Sequence, residues 1–487
     1  MQYNFPPIGW LWEDYRRNAA WYSGDPQRLR STSDRTCGRF WQSDEIVKVH
    51  VPIAADIASL SAASIFSESP VITCEDERTQ ERIDEILEES GMYSVLLQGA
   101  ELASVFGGVF VKLSWDAVAD VCPRLAAVPA DAGMVEWRGG KQYSITLWSV
   151  IREENGAVWR LVEEYGADGH IRTRLHKGDA ENLGKEIALT ALDETKNIKP
   201  DVNSGTGMLL AQYVPNMLPN RRAPHVRFGR SDFDGLYGLF DELDEVYSSI
   251  QRETRLTKTT VVVPMEYLRR KDDIRHQFDS EAKKAEWVFD NGKGVFVGLD
   301  IDTGENASPV TVINPEIRAE QRIALCDDLV KRILSMAGYA PQSAGIDVNG
   351  RAESGTALAV RERKTLRTTE TKKTHWWHAL QHIVRAMLKL DAAVYKSGVD
   401  PNAGITVELP SNSQPDIDQM AQILEQLERA GAISVEGKVR LLHPDWGDDK
   451  ILEEVRMIRE ERGLTGPDPL DQTLGDFETP KEQDDAE

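Results

Sequence analysis

The spacing of hydrophobic residues divides this chain of 487 residues into helical and strand-rich stretches. Residues 1 to about 110 are predicted to be helical. In one of these helices, Ile83 and Ile86 recur at helical spacing, and a glycine marks its end. From about 108 to 215, β-rich runs alternate with turn signals, which predicts a mostly antiparallel sheet. The polar stretch 181–207 is predicted to be an exposed loop.

Two long helices are predicted after this sheet. The first spans about 233–258, and its apolar residues recur in steps of three and four, which places them on one face of a straight helix. The second spans 317–337 and follows Asn314 and Pro315, a favourable N-cap and first helical position. The residues expected to pack these helices are Leu239, Leu243, Val246, Ile250, Ile323, Leu329 and Ile333.

The segment between the two helices, residues 259–313, predicts a small α/β insert. It opens with a β-branched run that stops at a proline. Further on, Asn291 and Gly292 separate two apolar runs, 287–289 and 295–297. Because Asn-Gly supplies the positive φ angles of a tight turn, these runs predict a β-hairpin.

The linker after the second helix, residues 338–355, is rich in glycine and predicts a mobile loop. A long helix is expected to start near Ser354, with a basic first half and a buried, apolar second half. From Arg351 to Lys373 the chain has seven basic residues and three glutamates, a local charge of +4. We expect this basic half to contact phosphates or an acidic protein surface, and a solvated helix face is the alternative.

Residues 412–463 predict three short helices, at about 416–430, 434–442 and 448–462. Glycines or a proline mark their ends. The tail that follows, residues 464–487, has eight acidic residues and one lysine, a net charge of −7. Such a composition predicts disorder, since the tail cannot bury enough apolar surface to fold.

Composition and charge restrict the class of protein. A chain of this length exceeds what one hydrophobic core supports, so at least two structural regions are expected. The net charge of −23 argues against tight DNA binding but suits a surface that DNA slides past, and simple solubility is the alternative. We expect no signal peptide, no transmembrane span and, with four scattered cysteines, no disulfide framework or thiolate zinc site.

Enzymatic chemistry has weak support in the sequence. His375, His378 and His382 lie at i, i+3 and i+7, so one helix face could present imidazoles to a metal. No glutamate follows as in a HExxH motif, and the neighbouring tryptophans favour a packed helix instead. The sequence shows no complete phosphate-binding loop and no nucleophile elbow. We therefore expect no enzymatic activity, no catalytic residue, no cofactor and no metal.

One stretch has a specific resemblance. Residues 228–268 place Gly229, Arg230, Ser231, Asp232 and Phe233 ahead of the first long helix, and a β-branched strand ending in Val-Pro follows that helix. This order resembles the portal proteins of long-tailed bacteriophages and prophages. The resemblance extends over nearly the whole chain, through the Asn-Pro start of the second helix, the glycine-rich loop and the acidic tail.

The resemblance implies an α+β portal fold. Its expected parts are an α/β wing (1–230), a first stem helix (231–258), a small α/β clip (259–313), a second stem helix (314–338), a tunnel loop (339–354), a long wing helix with a return strand (355–411), a helical crown (412–463) and the acidic tail (464–487). The alternatives are a helix-bound metal enzyme that uses the three histidines and a minor head structural protein.

The resemblance also implies a function. It predicts a homo-oligomeric ring, usually of twelve subunits, at one capsid vertex of the virion, which forms the channel for packaging and ejecting double-stranded DNA. The expected partners are the large terminase subunit and the head–tail connector at the clip, and scaffold protein and major capsid protein around the wing. No membrane contact is expected, and assembly is expected in the host cytoplasm.

The resemblance assigns candidate site residues to three of these parts. The tunnel loop would press on passing DNA, and the basic half of the long helix would contact DNA or a neighbouring subunit. The clip would dock terminase and connector. The candidate residues are Gln342, Ser343, Asp347, Asn349 and Arg351 in the loop, Arg361, Arg363, Lys364 and Arg367 on the helix, and Trp287, Asn291 and Lys293 in the clip.

Overall fold

A computed structural model provides the fold, and helices and strands are mixed in it. It describes residues 9–32, 39–42, 48–116, 119–180, 182–256, 260–264, 295–299, 311–313, 319–346, 355–409, 417–443 and 446–461. The chain divides into two compact units. The larger unit comprises Met1–Ala352 and Ala359–Asn412, and the smaller comprises Glu353–Leu358 and Ser413–Glu487.

Helices occur throughout the described chain. They are α1 (Gly9–Ser23), α2 (Pro26–Thr32), α3 (Arg39–Gln42), α4 (Ile53–Ile65), α5 (Glu77–Glu89), α6 (Met92–Phe106), α7 (Tyr237–Leu256), α8 (Ala319–Ala337), α9 (Gly355–Leu390), α10 (Ile417–Arg429), α11 (Val435–Leu442) and α12 (Asp448–Glu461). None of these helices combines the length and apolar character needed to span a bilayer.

The strands of the described residues belong to four sheets. They are β1 (Val71–Cys74), β2 (Gly108–Ser114), β3 (Arg124–Pro129), β4 (Gly133–Arg138), β5 (Lys141–Glu154), β6 (Ala157–Gly166), β7 (His170–Gly178), β8 (Lys185–Ile187), β9 (Asp201–Asn203), β10 (Ala211–Pro215), β11 (Thr260–Pro264), β12 (Val295–Leu299), β13 (Thr311–Ile313) and β14 (Ile405–Glu408). The strand orders are β1-β14, β10-β2-β3, β12-β11-β13 and β4-β5-β6-β7-β8, and β9 pairs with β7.

The predicted antiparallel sheet is present as a run of sequential strands. From β4 to β8 each strand pairs antiparallel with the next. Residues 182–207 are mostly exposed, as predicted, but the prediction of a loop was wrong where β8 and β9 pair with β7. These strands are short and mostly exposed, so no alternation of apolar residues marks them in the sequence.

One apolar core fills the larger unit. Helices α4 and α6 pack on each other, and α6 also packs on β2 and β3. The second half of α9 joins this core, where the Trp376 ring meets the edge of Phe66 at 5.1 Å between centroids. The buried second half predicted for the long helix is confirmed.

The two predicted stem helices are α7 and α8, which pack against each other. Leu243, Leu329 and Ile333 are buried in the core of the larger unit, while Leu239, Val246 and Ile250 are partly buried against it. Ile323 is 52% exposed, so among the described residues it does not make the buried packing expected of it.

The insert between these helices is described only in part. Strand β11 is the predicted β-branched run, and it lies between β12, which is parallel to it, and β13, which is antiparallel. The second strand of the predicted hairpin is present in β12. Its first strand and turn, residues 287–294, lie outside the described residues, so the hairpin stays a prediction.

The smaller unit contains α10, α11 and α12, at nearly the predicted positions. The Ser434 side chain accepts a hydrogen bond from the Gly437 amide and caps α11. Helices α11 and α12 pack through a small cluster of Val439, Ile451 and Val455. The acidic tail lies outside the described residues.

Candidate functional site

The segment that carries the resemblance, residues 228–233, leads into a buried charge pair. Lys372 of α9 donates hydrogen bonds from Nζ to Asp232 Oδ2 at 2.5 Å, to Ser61 Oγ at 2.7 Å and to the Tyr339 hydroxyl at 2.8 Å. Asp232 Oδ2 also accepts from Ser104 Oγ at 2.6 Å and from the Tyr339 hydroxyl at 3.1 Å. These five residues form the Asp232 network.

This network joins parts of the chain that are far apart in sequence. Ser61 lies on α4, Ser104 on α6, Tyr339 directly after α8, and Lys372 in the middle of α9. The Lys372 and Asp232 side chains are 1% and 3% exposed. Removing one partner of such a pair would leave an uncompensated charge in the core, so the network fixes these elements relative to one another.

Burial and the charge of Asp232 shift the pKa values of Lys372 and Tyr339. Burial lowers the pKa of Lys372, while the charge of Asp232 and its hydrogen bond raise it. Burial and the Asp232 charge both raise the pKa of Tyr339 well above its usual value. The tyrosine is therefore a neutral donor to the carboxylate, and Asn216 Nδ2 donates to its other oxygen at 2.9 Å.

Two glycines allow the segment that leads to Asp232 to pass close to the end of α6. Gly107 ends α6 with φ of +78°, and a Cβ there would lie 2.8 Å from the Gly229 carbonyl oxygen. A Cβ on Gly229 would lie 2.1 Å from the Gly107 carbonyl oxygen. Because the two backbones approach this closely, side chains fit at neither position, which gives a physical reason for the first residue of the Gly-Arg-Ser-Asp-Phe segment.

The start of the predicted tunnel loop is anchored on α9. The Thr365 hydroxyl accepts from the Ala340 amide at 2.8 Å and lies 2.9 Å from Ser343 Oγ. Thr368 Oγ1 donates to the Gly338 carbonyl at 2.8 Å. Gln342 and Ser343 lie on a short 3₁₀ helix, Pro341–Ala344. The remaining loop candidates, Asp347, Asn349 and Arg351, lie outside the described residues.

The basic half of α9 is divided between surface and core. Arg363, Lys364 and Arg367 are exposed. Lys364 Nζ donates to the Ser335 carbonyl oxygen near the end of α8 and lies 3.1 Å from Ser335 Oγ. Arg361 lies within α9, and its side chain is outside the described structure.

The expected basic face was wrong for Lys372 and Lys373, which are buried. Lys372 lies in register with Trp376 and Leu380, residues of the buried face four and eight positions further on. That register is visible in the sequence and could have identified Lys372 as a core residue. Nothing in the sequence placed Ser61, Ser104 or Tyr339 beside it.

A second buried network surrounds Asp244, in the first half of α7. Asp244 accepts hydrogen bonds from Trp41 Nε1 at 3.2 Å and from the Val51 amide at 2.8 Å, and His50 Nδ1 lies 2.8 Å from its Oδ2. One turn earlier, burial, together with the charges of Asp244 and Glu245, raises the pKa of Asp241 to about 6.

The three histidines of α9 make separate contacts. His382 Nε2 donates to the Leu209 carbonyl at 2.8 Å, and the His378 ring lies 4.8 Å from that of Trp377. Burial is the main cause that lowers the pKa of His375 and of His382. Within the described ranges, no three His, Cys, Asp or Glu side chains are grouped to hold a metal ion.

The clip candidates Trp287, Asn291 and Lys293 also lie outside the described residues. Of the predicted loop and helix residues, Ser343 meets α9, where its Oγ lies 2.9 Å from the Thr365 hydroxyl, and Lys364 of α9 contacts Ser335 of α8.

Comparisons with known proteins identify the family. Residues 42–463 match the family model described as phage portal protein, SPP1 Gp6-like. A search of curated proteins found no match.

Two solved structures that this chain resembles are necks of GTA particles. The neck of a native GTA particle, computed with C12 symmetry, has a TM-score of 0.40 and 9% identity over 88% of this chain and 92% of that chain. The neck of an empty GTA particle, computed with C6 symmetry, has a TM-score of 0.40 and 12% identity over 80% of this chain and 89% of that chain. Structural similarity at this level does not identify a family, whereas the family model matches most of the sequence. This chain therefore belongs to the SPP1 Gp6-like phage portal protein family.

Proposed function

We propose that this chain is the subunit of a ring-shaped channel at one capsid vertex, through which double-stranded DNA enters during packaging and leaves during ejection. The family match over residues 42–463 carries the proposal. The order of α7, β11, α8 and α9 supports it, and the Asp232 network links α9 to the segment before α7 and to the residue that follows α8. The role is mechanical, and we assign no catalytic residue.

The proposal assigns a role to each region. The wing is formed by residues 1–230 and 355–411, the stem by α7 and α8, and the clip by 259–313. The tunnel loop is 339–354, the crown is 412–463, and the acidic tail follows. Terminase and the head–tail connector would dock at the clip, and scaffold and major capsid protein would surround the wing.

DNA would pass the tunnel loop at the centre of the ring. The strongly negative chain would repel phosphates and keep contacts short, because like charges in a narrow channel disfavour binding. The exposed Arg363 and Arg367 would supply transient contacts to DNA or to an acidic neighbour. The anchored start of the loop would transmit force to α9 through the Thr365 and Tyr339 contacts.

Ring assembly is the first test of the proposed function. We would measure the native mass of the purified full chain and image its particles by electron microscopy. The expected result is a ring of about twelve subunits with a central hole, since closed head-to-tail interfaces generate rotational symmetry. A compact dimer that binds zinc stoichiometrically would overturn the proposal.

A surface variant makes this test more specific. Ile323 exposes apolar surface on α8, which we expect a neighbouring subunit to cover in the ring. Ile323→Glu should reduce ring formation while the monomer keeps its helical circular dichroism. Gln321→Glu adds the same charge at an exposed position about 200° around the same helix, so it is the matched control and should assemble normally. Equal assembly of both variants would remove α8 from the proposed interface.

The loop is tested by DNA packaging. Replacing Asp347 and Arg351 together by Ala should lower DNA translocation or retention in a packaging assay while leaving ring assembly intact. Unchanged packaging would remove the loop from the proposed mechanism and leave the ring itself standing.

A further inference from the structure

A small cavity lies beside the Gly-Arg-Ser-Asp-Phe segment, in the larger unit. Its volume is about 150 Å³, and its wall includes Arg17 of α1 and Arg222 and Arg230 of the segment before α7. The carboxylates of Asp14 and Asp234 also line it. These five residues define the arginine cavity.

The charges of the arginine cavity do not balance. Arg222 Nη1 donates to Asp14 Oδ1 at 2.8 Å, and Arg17 lies 3.6 Å from the same oxygen. Two residues outside the cavity wall also pair with this set, and their charges cancel: Arg221 lies 3.5 Å from Asp234, and Glu13 lies 3.7 Å from Arg222. Three guanidiniums and two carboxylates therefore leave an excess of one positive charge, in a chain whose net charge is −23.

Arg230 is the source of this excess. No hydrogen bond or ion pair of its guanidinium occurs among the described residues, although its backbone carbonyl accepts from Asn216 Nδ2 at 3.2 Å. The side chain is partly buried, and burial is the main cause that lowers its pKa. The charges of Asp234 and Asp232 act on Arg230 from beyond ion-pair distance. A guanidinium that has lost part of its hydration and forms no direct ion pair is a favourable site for an anion.

We propose that the arginine cavity binds a phosphate-sized oxyanion, held by the Arg230 guanidinium. A cavity of this volume accommodates a molecule as large as benzene, so a single phosphate group fits. The planar fork of arginine matches two oxygens of a phosphate. The ligand is inorganic phosphate or a phosphate group of a nucleic acid, which present the same chemistry to the cavity.

Calorimetric titration of the full chain with inorganic phosphate, at constant ionic strength in chloride, tests this site. The wild type should show saturable binding, and Arg230→Gln should weaken it about tenfold or more, because a charged hydrogen-bond donor is lost. Arg138→Gln is the matched control. Arg138 lies in the larger unit, stacked on the Tyr143 ring at 3.5 Å and paired with Glu136, and its loss should leave phosphate affinity unchanged.

Two further measurements keep the test decisive. Arg230→Lys retains the charge but loses the fork, so it should fold as the wild type does and bind phosphate with intermediate affinity. Competition by a short DNA duplex assigns the phosphate to nucleic acid, and its failure to compete assigns it to the free ion. Absence of saturable phosphate binding to the wild type, or equal affinity in Arg230→Gln, overturns the proposal.

Discussion

The two units of this protein use different interactions to hold their helices. In the larger unit, the Asp232 network places a lysine and an aspartate inside a continuous apolar core, with hydrogen-bond partners on α4, on α6 and just after α8. In the smaller unit, α11 and α12 meet through only three buried aliphatic residues among those described. The residues Leu441, Leu442, Leu452 and Met457 of those helices are largely exposed.

This difference shows what a charge requires in order to be buried. A dehydrated ion pair is tolerated only where its remaining donors and acceptors are matched, and a large core can supply those partners. A small cluster cannot exclude water well enough to do so, and its cohesion depends on a few methyl groups. The two units should therefore respond to different substitutions, and four predictions test this.

The largest effect is expected at Lys372. Lys372→Ala should lower the free energy of unfolding by about 3–5 kcal/mol, since Asp232 would stay buried without its counter-charge. Urea denaturation of the full chain measures this loss. Arg363→Ala, on the exposed side of the same helix, is the control and should change stability by less than about 0.5 kcal/mol. The double variant Lys372→Met/Asp232→Asn should recover part of the loss. Equal stability of Lys372→Ala and the control would contradict a structural role for the network.

The second effect concerns the smaller unit. Ile451→Ala should cost about 2 kcal/mol, the low end of the range for such truncations, because the exposed neighbours can relax into the space. Hydrogen exchange should accelerate in residues 417–461 and stay unchanged in residues 359–390 of α9, which belong to the larger unit, since the two units have separate cores. Leu452→Ala, at the adjacent exposed position, is the control. Accelerated exchange in both units would show that they unfold together.

The third effect concerns Asp241, a buried carboxylate whose Oδ1 has no hydrogen-bond partner among the described residues. In contrast, both carboxylate oxygens of Asp232 accept hydrogen bonds. The pKa of Asp241 is raised to about 6 in the folded state. The folded state therefore binds more protons than the unfolded state between about pH 4 and 6, and stability should fall as pH rises through this window and then level off. Asp241→Asn should reduce this slope, to which Asp131 also contributes because burial raises its pKa to about 6, and should raise stability at pH 7 by about 1 kcal/mol.

Thermal unfolding between pH 4 and 7 measures the Asp241 effect. Glu242→Gln, exposed on the same helix, is the matched control and should keep the wild-type slope. A wild-type slope in Asp241→Asn would show that this carboxyl does not titrate in the window.

The smallest effect compares one helix cap in each unit. Asp76 caps α5 in the larger unit by accepting from the Thr79 amide at 2.9 Å, and Ser434 caps α11 in the smaller unit. Replacing either cap by Ala should cost about 1 kcal/mol, because an amide at the helix start loses its partner. Hydrogen exchange should show each loss only in the unit that carries the cap. Loss of protection in the opposite unit would argue against their independence.

Local pattern was enough to predict most elements of this chain. The two stem helices, the β-branched strand, the long helix and the three short terminal helices appear within a few residues of their predicted positions. These elements carry repeating apolar residues or strong caps, and such signals depend on neighbours in the sequence. Strands β8 and β9 were missed because they are held by backbone hydrogen bonds to β7, which side-chain pattern does not record.

The sequence by itself determined the family, the order of elements and the sign of the local charges. Only the tertiary structure decided that Lys372 pairs with Asp232 in the core while Arg363 stays at the surface, although both belong to one basic stretch. The arginine cavity likewise depends on α1 meeting a segment some 200 residues away. The physical reason is that charge pairing and burial depend on distances in space, which the fold sets after local pattern has defined the helices and strands.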